Sequence, residues 1–106
     1  MISASGDVFP MDAVRLLAEP LRARIVELLA RESLCTCHLV AETGASQTNV
    51  SNHLRLLRDA GVVTAEPCGR YTYYRLRPEP LRTLAAGFAG LADIAEDNAE
   101  TRRPCP

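Results

Sequence analysis

Between Thr36 and Gly61 the chain carries two helix-forming segments separated by one glycine, and this stretch restricts the fold more than any other. The first segment, expected over residues 37–43 with Thr36 as its N-cap, offers only Leu39 and Val40 as an apolar side. Gly44 ends it, since glycine takes the left-handed conformation at a helix C-terminus without steric cost. Ser46 is a good N-cap for the second segment, from about Gln47 to Ala60. There Val50, Leu54 and Leu57 recur at i, i+4 and i+7, which puts them on one face. The other side is Gln47, Thr48, Asn49, Ser51, Asn52, Arg55 and Arg58. A short helix, a tight turn and a second helix of divided polarity is the plan of a helix-turn-helix.

After Gly61 the period changes. Residues 62–66 and 71–76 are rich in β-branched and aromatic side chains and are separated by Pro67-Cys68-Gly69-Arg70, which predicts a β-hairpin. A hairpin directly behind a recognition helix makes a winged helix. Its tip holds Arg70 beside Tyr71, and an arginine there can reach phosphates or a minor groove. The polar helix face carries amides and hydroxyls suited to base edges, and Asp59 is the only acid near it. Ser46, Gln47, Thr48, Asn49, Ser51, Asn52, Arg55, Arg70 and Tyr71 are therefore the candidate contacts to double-stranded operator DNA. His53 reads as a residue packed at the helix base.

Charge supports that placement. The net charge is only −1, but from Ser46 to Arg77 the local balance is +3, whereas Asp93, Glu96, Asp97 and Glu100 cluster near the end.

On either side lie further helices. A short one is expected to begin near Pro10, with Ala13, Val14, Leu16 and Leu17 inward, and a second at Glu19-Pro20, with a stripe of Leu21, Ile25, Leu28 and Leu29. After Pro78 and Pro80, a last helix carries Leu81, Leu84, Phe88, Leu91 and Ala95 at alternating spacings of three and four, like a short coiled-coil seam. Gly87 and Gly90 there are expected to let a partner helix approach. The expected organisation is a flexible arm over residues 1–9, a mainly α winged helix-turn-helix with a β-hairpin over 10–97, and a flexible tail over 98–106. A chain of 106 residues buries only roughly 60 to 65% of its unfolded surface, so a homodimer is favoured.

No apolar run approaches the roughly 20 residues that cross a bilayer, and the first residues lack a signal-peptide pattern, so a cytoplasmic protein without membrane association is expected. In a reducing compartment the four cysteines are ligands or redox sensors before they are disulfides. Cys35 and Cys37 form a pair of soft donors, which select thiophilic ions. Side chains two apart on a helix diverge by about 200°, so the pair can close on one ion only at a helix start, where free N–H groups also favour thiolates.

The runs Cys35-Thr36-Cys37-His38-Leu39, Ser46 through Val63, and Gly69 through Leu76 appear in that order, and together they resemble the arsenical-repressor (ArsR/SmtB) family over about Leu17 to Leu81. The resemblance implies a homodimer joined through its first and last helices. It also implies a repressor that leaves DNA when an ion binds the cysteine pair, with As(III) or Sb(III) as inducer and no organic cofactor. Arsenite-sensing relatives often carry a third cysteine three residues after the pair, where this chain has Val40. Cys105 or Cys68 must then serve, and Cys105, from either subunit, is preferred. Cadmium or lead sensing stays open, although such relatives usually add N-terminal cysteines. The relatives' second metal site, on the last helix, uses histidine, and this last helix has none.

A thiol-redox repressor of the same fold is a further alternative, disfavoured because a disulfide across one residue is strained. An enzyme is not expected, because no nucleophile, base and orienter can be assembled around His38 and His53.

Overall fold

The computed structural model describes residues 9–106, so all but the last residue of the expected N-terminal arm lies outside it. The elements are α1 (Met11–Ala18), α2 (Pro20–Leu29), β1 (Leu34–Cys35), α3 (Thr36–Thr43), α4 (Gln47–Asp59), β2 (Val63–Cys68), β3 (Tyr71–Leu76) and α5 (Pro78–Asp97). Among the described residues, no helix is long and apolar enough to cross a membrane.

The core is built from the predicted stripes. Ile25 and Leu29 of α2, Leu39 of α3, and Val50, Leu54 and Leu57 of α4 are buried together with Val26, Leu34, Val62 and Val63. Leu21 and Leu28 pack half-buried against them. Burying such a side chain stabilises by about 1.5–3 kcal/mol, which fixes α4 on α2 and leaves its polar face outward. Two left-handed glycines make the connections: Gly44 (φ +75°) ends α3 and Gly61 (φ +78°) ends α4. Glu19 caps α2 by accepting from the Arg22 N–H at 2.8 Å.

The sheet has three strands in the order β1-β3-β2, all antiparallel neighbours. β1 was not expected. Its two residues pair Leu34 with Tyr74 and Cys35 with Tyr73, a non-local contact that two residues cannot announce in their own pattern. In the hairpin, β2 runs through Pro67 and Cys68, and Cys68 pairs with Tyr71. The turn therefore contracts to Gly69 (φ +62°) and Arg70, and Cys68 is a strand residue.

α5 begins at Pro78 and takes both prolines into its first turn, where a missing N–H costs nothing. Gly87 is used within the chain: a Cβ there would lie 3.1 Å from Pro10 Cδ, so the glycine admits the residues leading into α1. Phe9 meets Phe88 edge to face at 5.2 Å. Gly90 faces open space. Phe88 and Leu91 (each 49% exposed) and Ile94 (60%) leave the α5 seam largely uncovered, and Met11 of α1 is exposed as well.

Candidate inducer and DNA-binding site

The N-cap of α3 is Cys35, one residue before the expected Thr36. It is drawn there by β1, which holds Cys35 in extended backbone (ψ 170°) opposite Tyr73. The backbone N–H of Cys35 donates to His38 Nδ1 at 3.2 Å, and Cys35 Sγ lies 3.3 Å from the same nitrogen. His38 thus closes a capping box around the first turn.

This geometry lets two cysteines with one residue between them share a face. Cys35 stands just outside the helix and Cys37 in its first turn. Their sulfurs and a ring nitrogen of His38 all lie within 4.8 Å of one another. Cys35 is buried, whereas Cys37 and His38 are exposed. Burial pushes the Cys35 thiol up, but hydrogen bonding from the Cys37 side chain and from the backbone N–H groups of His38, Cys37 and Cys35 itself brings it below its ordinary value. Cys37 is held above its ordinary value by its hydrogen bond to Cys35, then by burial and by repulsion from that neighbour. Cys35 is therefore the thiol of the pair more readily converted to thiolate, the form that binds a thiophilic ion.

His38 was missed as a candidate donor. The signal was available, since residue three past an N-cap reaches back to it, but it depended on recognising Cys35 as the cap. Cys105 lies exposed after α5 and is outside this group within one protomer, as is Cys68 at the end of β2.

The DNA-facing candidates take two positions. Gln47, Thr48, Asn49, Ser51, Asn52 and Arg55 are exposed along α4. Ser46 caps that helix, its Oγ accepting from the Asn49 N–H at 3.1 Å. Arg70 and Tyr71 stand exposed at the wing tip. His53 belongs to the interior side, as its reading suggested: Arg22 donates to its Nδ1 at 3.0 Å, and Glu19 lies 3.9 Å from its Nε2.

The two sets of residues meet. One cavity of about 490 Å³ is bordered by Cys35 and Cys37 on one side, Gln47 at the start of α4 on another, and Arg70 and Tyr71 of the wing on a third. The thiols and both sets of candidate DNA contacts thus border one space.

A helix-turn-helix whose second helix is polar outward, backed by an arginine-tipped hairpin, defines a winged-helix DNA-binding regulator, here with a thiol cluster at the start of its first motif helix. Residues 19–65 match the sequence profile of the bacterial regulatory proteins of the arsR family. The chain is 37% identical over 89 residues to the arsenic resistance transcriptional regulator ArsR1 of Pseudomonas putida, a stretch covering 83% of this chain and 70% of that one. Among solved structures, it is similar to a possible transcriptional regulator for arsenical resistance (36% identity, TM-score 0.70, 87% of this chain and 98% of the other). It is also similar to the antimony-specific transcriptional repressor AntR (31% identity, TM-score 0.64, 91% and 86%). The chain belongs to the arsR family, and it is a transcriptional regulator rather than an enzyme.

Proposed function

We propose that the protein is a cytoplasmic homodimeric repressor that binds operator DNA through α4 and the wing and is released when As(III) or Sb(III) binds Cys35 and Cys37. The observation that carries this reading is the cavity shared by the two thiols, Gln47, Arg70 and Tyr71. Drawing the two sulfurs onto one ion reshapes the first turn of α3 and, through the Cys35–Tyr73 pairing, pulls on the wing. Arsenic and antimony relatives of 37% and 31% identity support the choice of ion.

Cys105 is the proposed third thiolate. Its tail of about seven residues spans up to about 23 Å when extended, and the thiolate is proposed to come from the same or the partner subunit. The uncovered Phe88, Leu91 and Ile94 of α5, next to the exposed Met11 of α1, supply the apolar surface for the dimer. Gln47, Thr48, Asn49, Ser51 and Asn52 would read bases, while Ser46, Arg55, Arg70 and Tyr71 hold the backbone.

Cadmium or lead is a second reading, favoured by one observation: His38 adds a nitrogen donor to the two sulfurs, giving three donors to a divalent thiophilic ion without a third cysteine. Fluorescence anisotropy of the reduced protein on its promoter DNA, titrated with arsenite, antimonite, cadmium, lead and peroxide, separates these. Release by arsenite and antimonite supports the main reading, and release by cadmium or lead alone supports the second. Failure of the reduced protein to bind DNA, or release by peroxide alone, defeats both.

A further inference from the structure

His53 is the polar member of the inward stripe of α4, three residues after Val50 and four before Leu57. Its side chain is only 14% exposed. Val50, Leu54 and Leu57 set how deeply the helix sits, but apolar contacts are not directional. Hydrogen bonds are directional. Among the described residues, the contact between Arg22 Nη1 and His53 Nδ1 at 3.0 Å is the only side-chain hydrogen bond from α4 to another element.

Arg22 is itself held along its other edge. Its Nε donates to the Leu16 carbonyl in the last turn of α1 at 2.7 Å. Were α1 to continue, that carbonyl would accept from residue 20, but residue 20 is proline and has no N–H. The guanidinium takes that place, while the Arg22 backbone N–H is bound by the Glu19 carboxylate at 2.8 Å. One side chain thus spans from α1 to α4. A guanidinium only donates, so His53 Nδ1 accepts and the ring carries its proton on Nε2, the nitrogen 3.9 Å from Glu19 Oε1.

We propose that Arg22 and His53 are positioning residues for DNA binding: the guanidinium ties the recognition helix to α1 and fixes its rotation on the apolar stripe. This rests on the reading of α4 as the recognition helix. In a dimer, two recognition helices enter successive major grooves only at a set separation, about 34–36 Å. Turning α4 on its apolar stripe would spoil that register while leaving the core buried.

The test measures anisotropy of the full chain on its promoter DNA and on a scrambled duplex, for the unaltered protein, His53→Asn, His53→Gln and Arg22→Lys. Asparagine places an oxygen where Nδ1 stands, whereas glutamine carries its acceptor one bond too far. His53→Asn is expected to bind the promoter within about twofold of the unaltered protein, and His53→Gln and Arg22→Lys about tenfold more weakly. Binding to the scrambled duplex, which depends on phosphate charge, should be unchanged in all three. Glutamine favours a helix at least as well as asparagine, so a merely structural role predicts the reverse order. The Arg22→Lys/His53→Gln double variant should bind no more weakly than either single variant, because both remove one contact.

Long-range nitrogen–proton spectra of the unaltered protein should show the His53 proton on Nε2, and this decides the matter should the variants fold poorly. A proton on Nδ1, equal losses for asparagine and glutamine, or equal losses on the two duplexes overturns the proposal and leaves the recognition-helix reading standing. Failure of the unaltered protein to bind promoter DNA defeats both.

Discussion

Cys35 stands directly opposite Tyr73 in the β1–β3 ladder, so the residue that caps α3 is also a strand residue of the sheet that carries the wing. A single residue thereby joins the helix-turn-helix to the sheet that carries the hairpin. Under the proposed function, movement of its sulfur toward an ion is expected to change the cap, the ladder and the cavity wall together.

The wing tip should act electrostatically. Arg70 is exposed in a two-residue turn and, among the described residues, has no acidic partner, so Arg70→Ala is expected to weaken DNA binding about tenfold on all sequences and to reduce the salt slope of log K by about 0.9. Gln47→Ala should instead relax discrimination at one base position, costing about 1–3 kcal/mol on the preferred site only. Anisotropy at several salt concentrations, on the operator and on a scrambled duplex, checks both.

The turn of the motif depends on Gly44. A Cβ at that position meets nothing within 4 Å, yet the backbone is left-handed at φ +75°. Gly44→Ala should therefore cost about 1 kcal/mol through backbone strain alone. Leu57→Ala, at a fully buried position, should cost about 2–5 kcal/mol. Urea denaturation followed by circular dichroism should rank the two in that order.

The acid–base behaviour of the pair gives a pH prediction. Hydrogen bonds outweigh burial and lower the Cys35 thiol, whereas Cys37 is raised. A group lowered on folding stabilises above its unfolded value and loses that contribution as pH falls through its folded value. Ion capture, which needs both thiolates, should weaken first as pH falls through the raised Cys37 value and further through the lowered Cys35 value. Cys37→Ala removes the side-chain hydrogen bond and should move Cys35 upward, as read by thiolate ultraviolet absorbance against pH.

Much of this architecture was legible in the sequence. Val50, Leu54 and Leu57 announced the inner face of α4 because a helical period leaves a direct trace, and Gly44 and Gly61 marked its neighbourhood through backbone geometry. The cap at Cys35 was not legible, because Thr36 has the better intrinsic capping chemistry and only the distant Tyr73 shifts the helix start by one residue. The same displacement hid His38. The cavity was equally unreadable, since its walls come from α3, α4 and β3, which meet only in the folded chain.

The uncovered seam of α5 predicts the oligomeric state. Leu91→Glu, at a half-exposed position of the isolated chain, should shift sedimentation toward the monomer and weaken operator binding with it. An unchanged sedimentation coefficient would remove the α5 face from the interface.

The central claim is that the Cys35–Cys37 pair couples inducer capture to DNA release. Its most direct test is an arsenite titration of the promoter complex, followed by anisotropy, for the unaltered protein, Cys35→Ser and Cys37→Ser in parallel. The expected result is release of the unaltered protein, with both variants binding DNA normally and staying bound throughout the titration. Release of either variant at the same arsenite concentration as the unaltered protein would contradict the account.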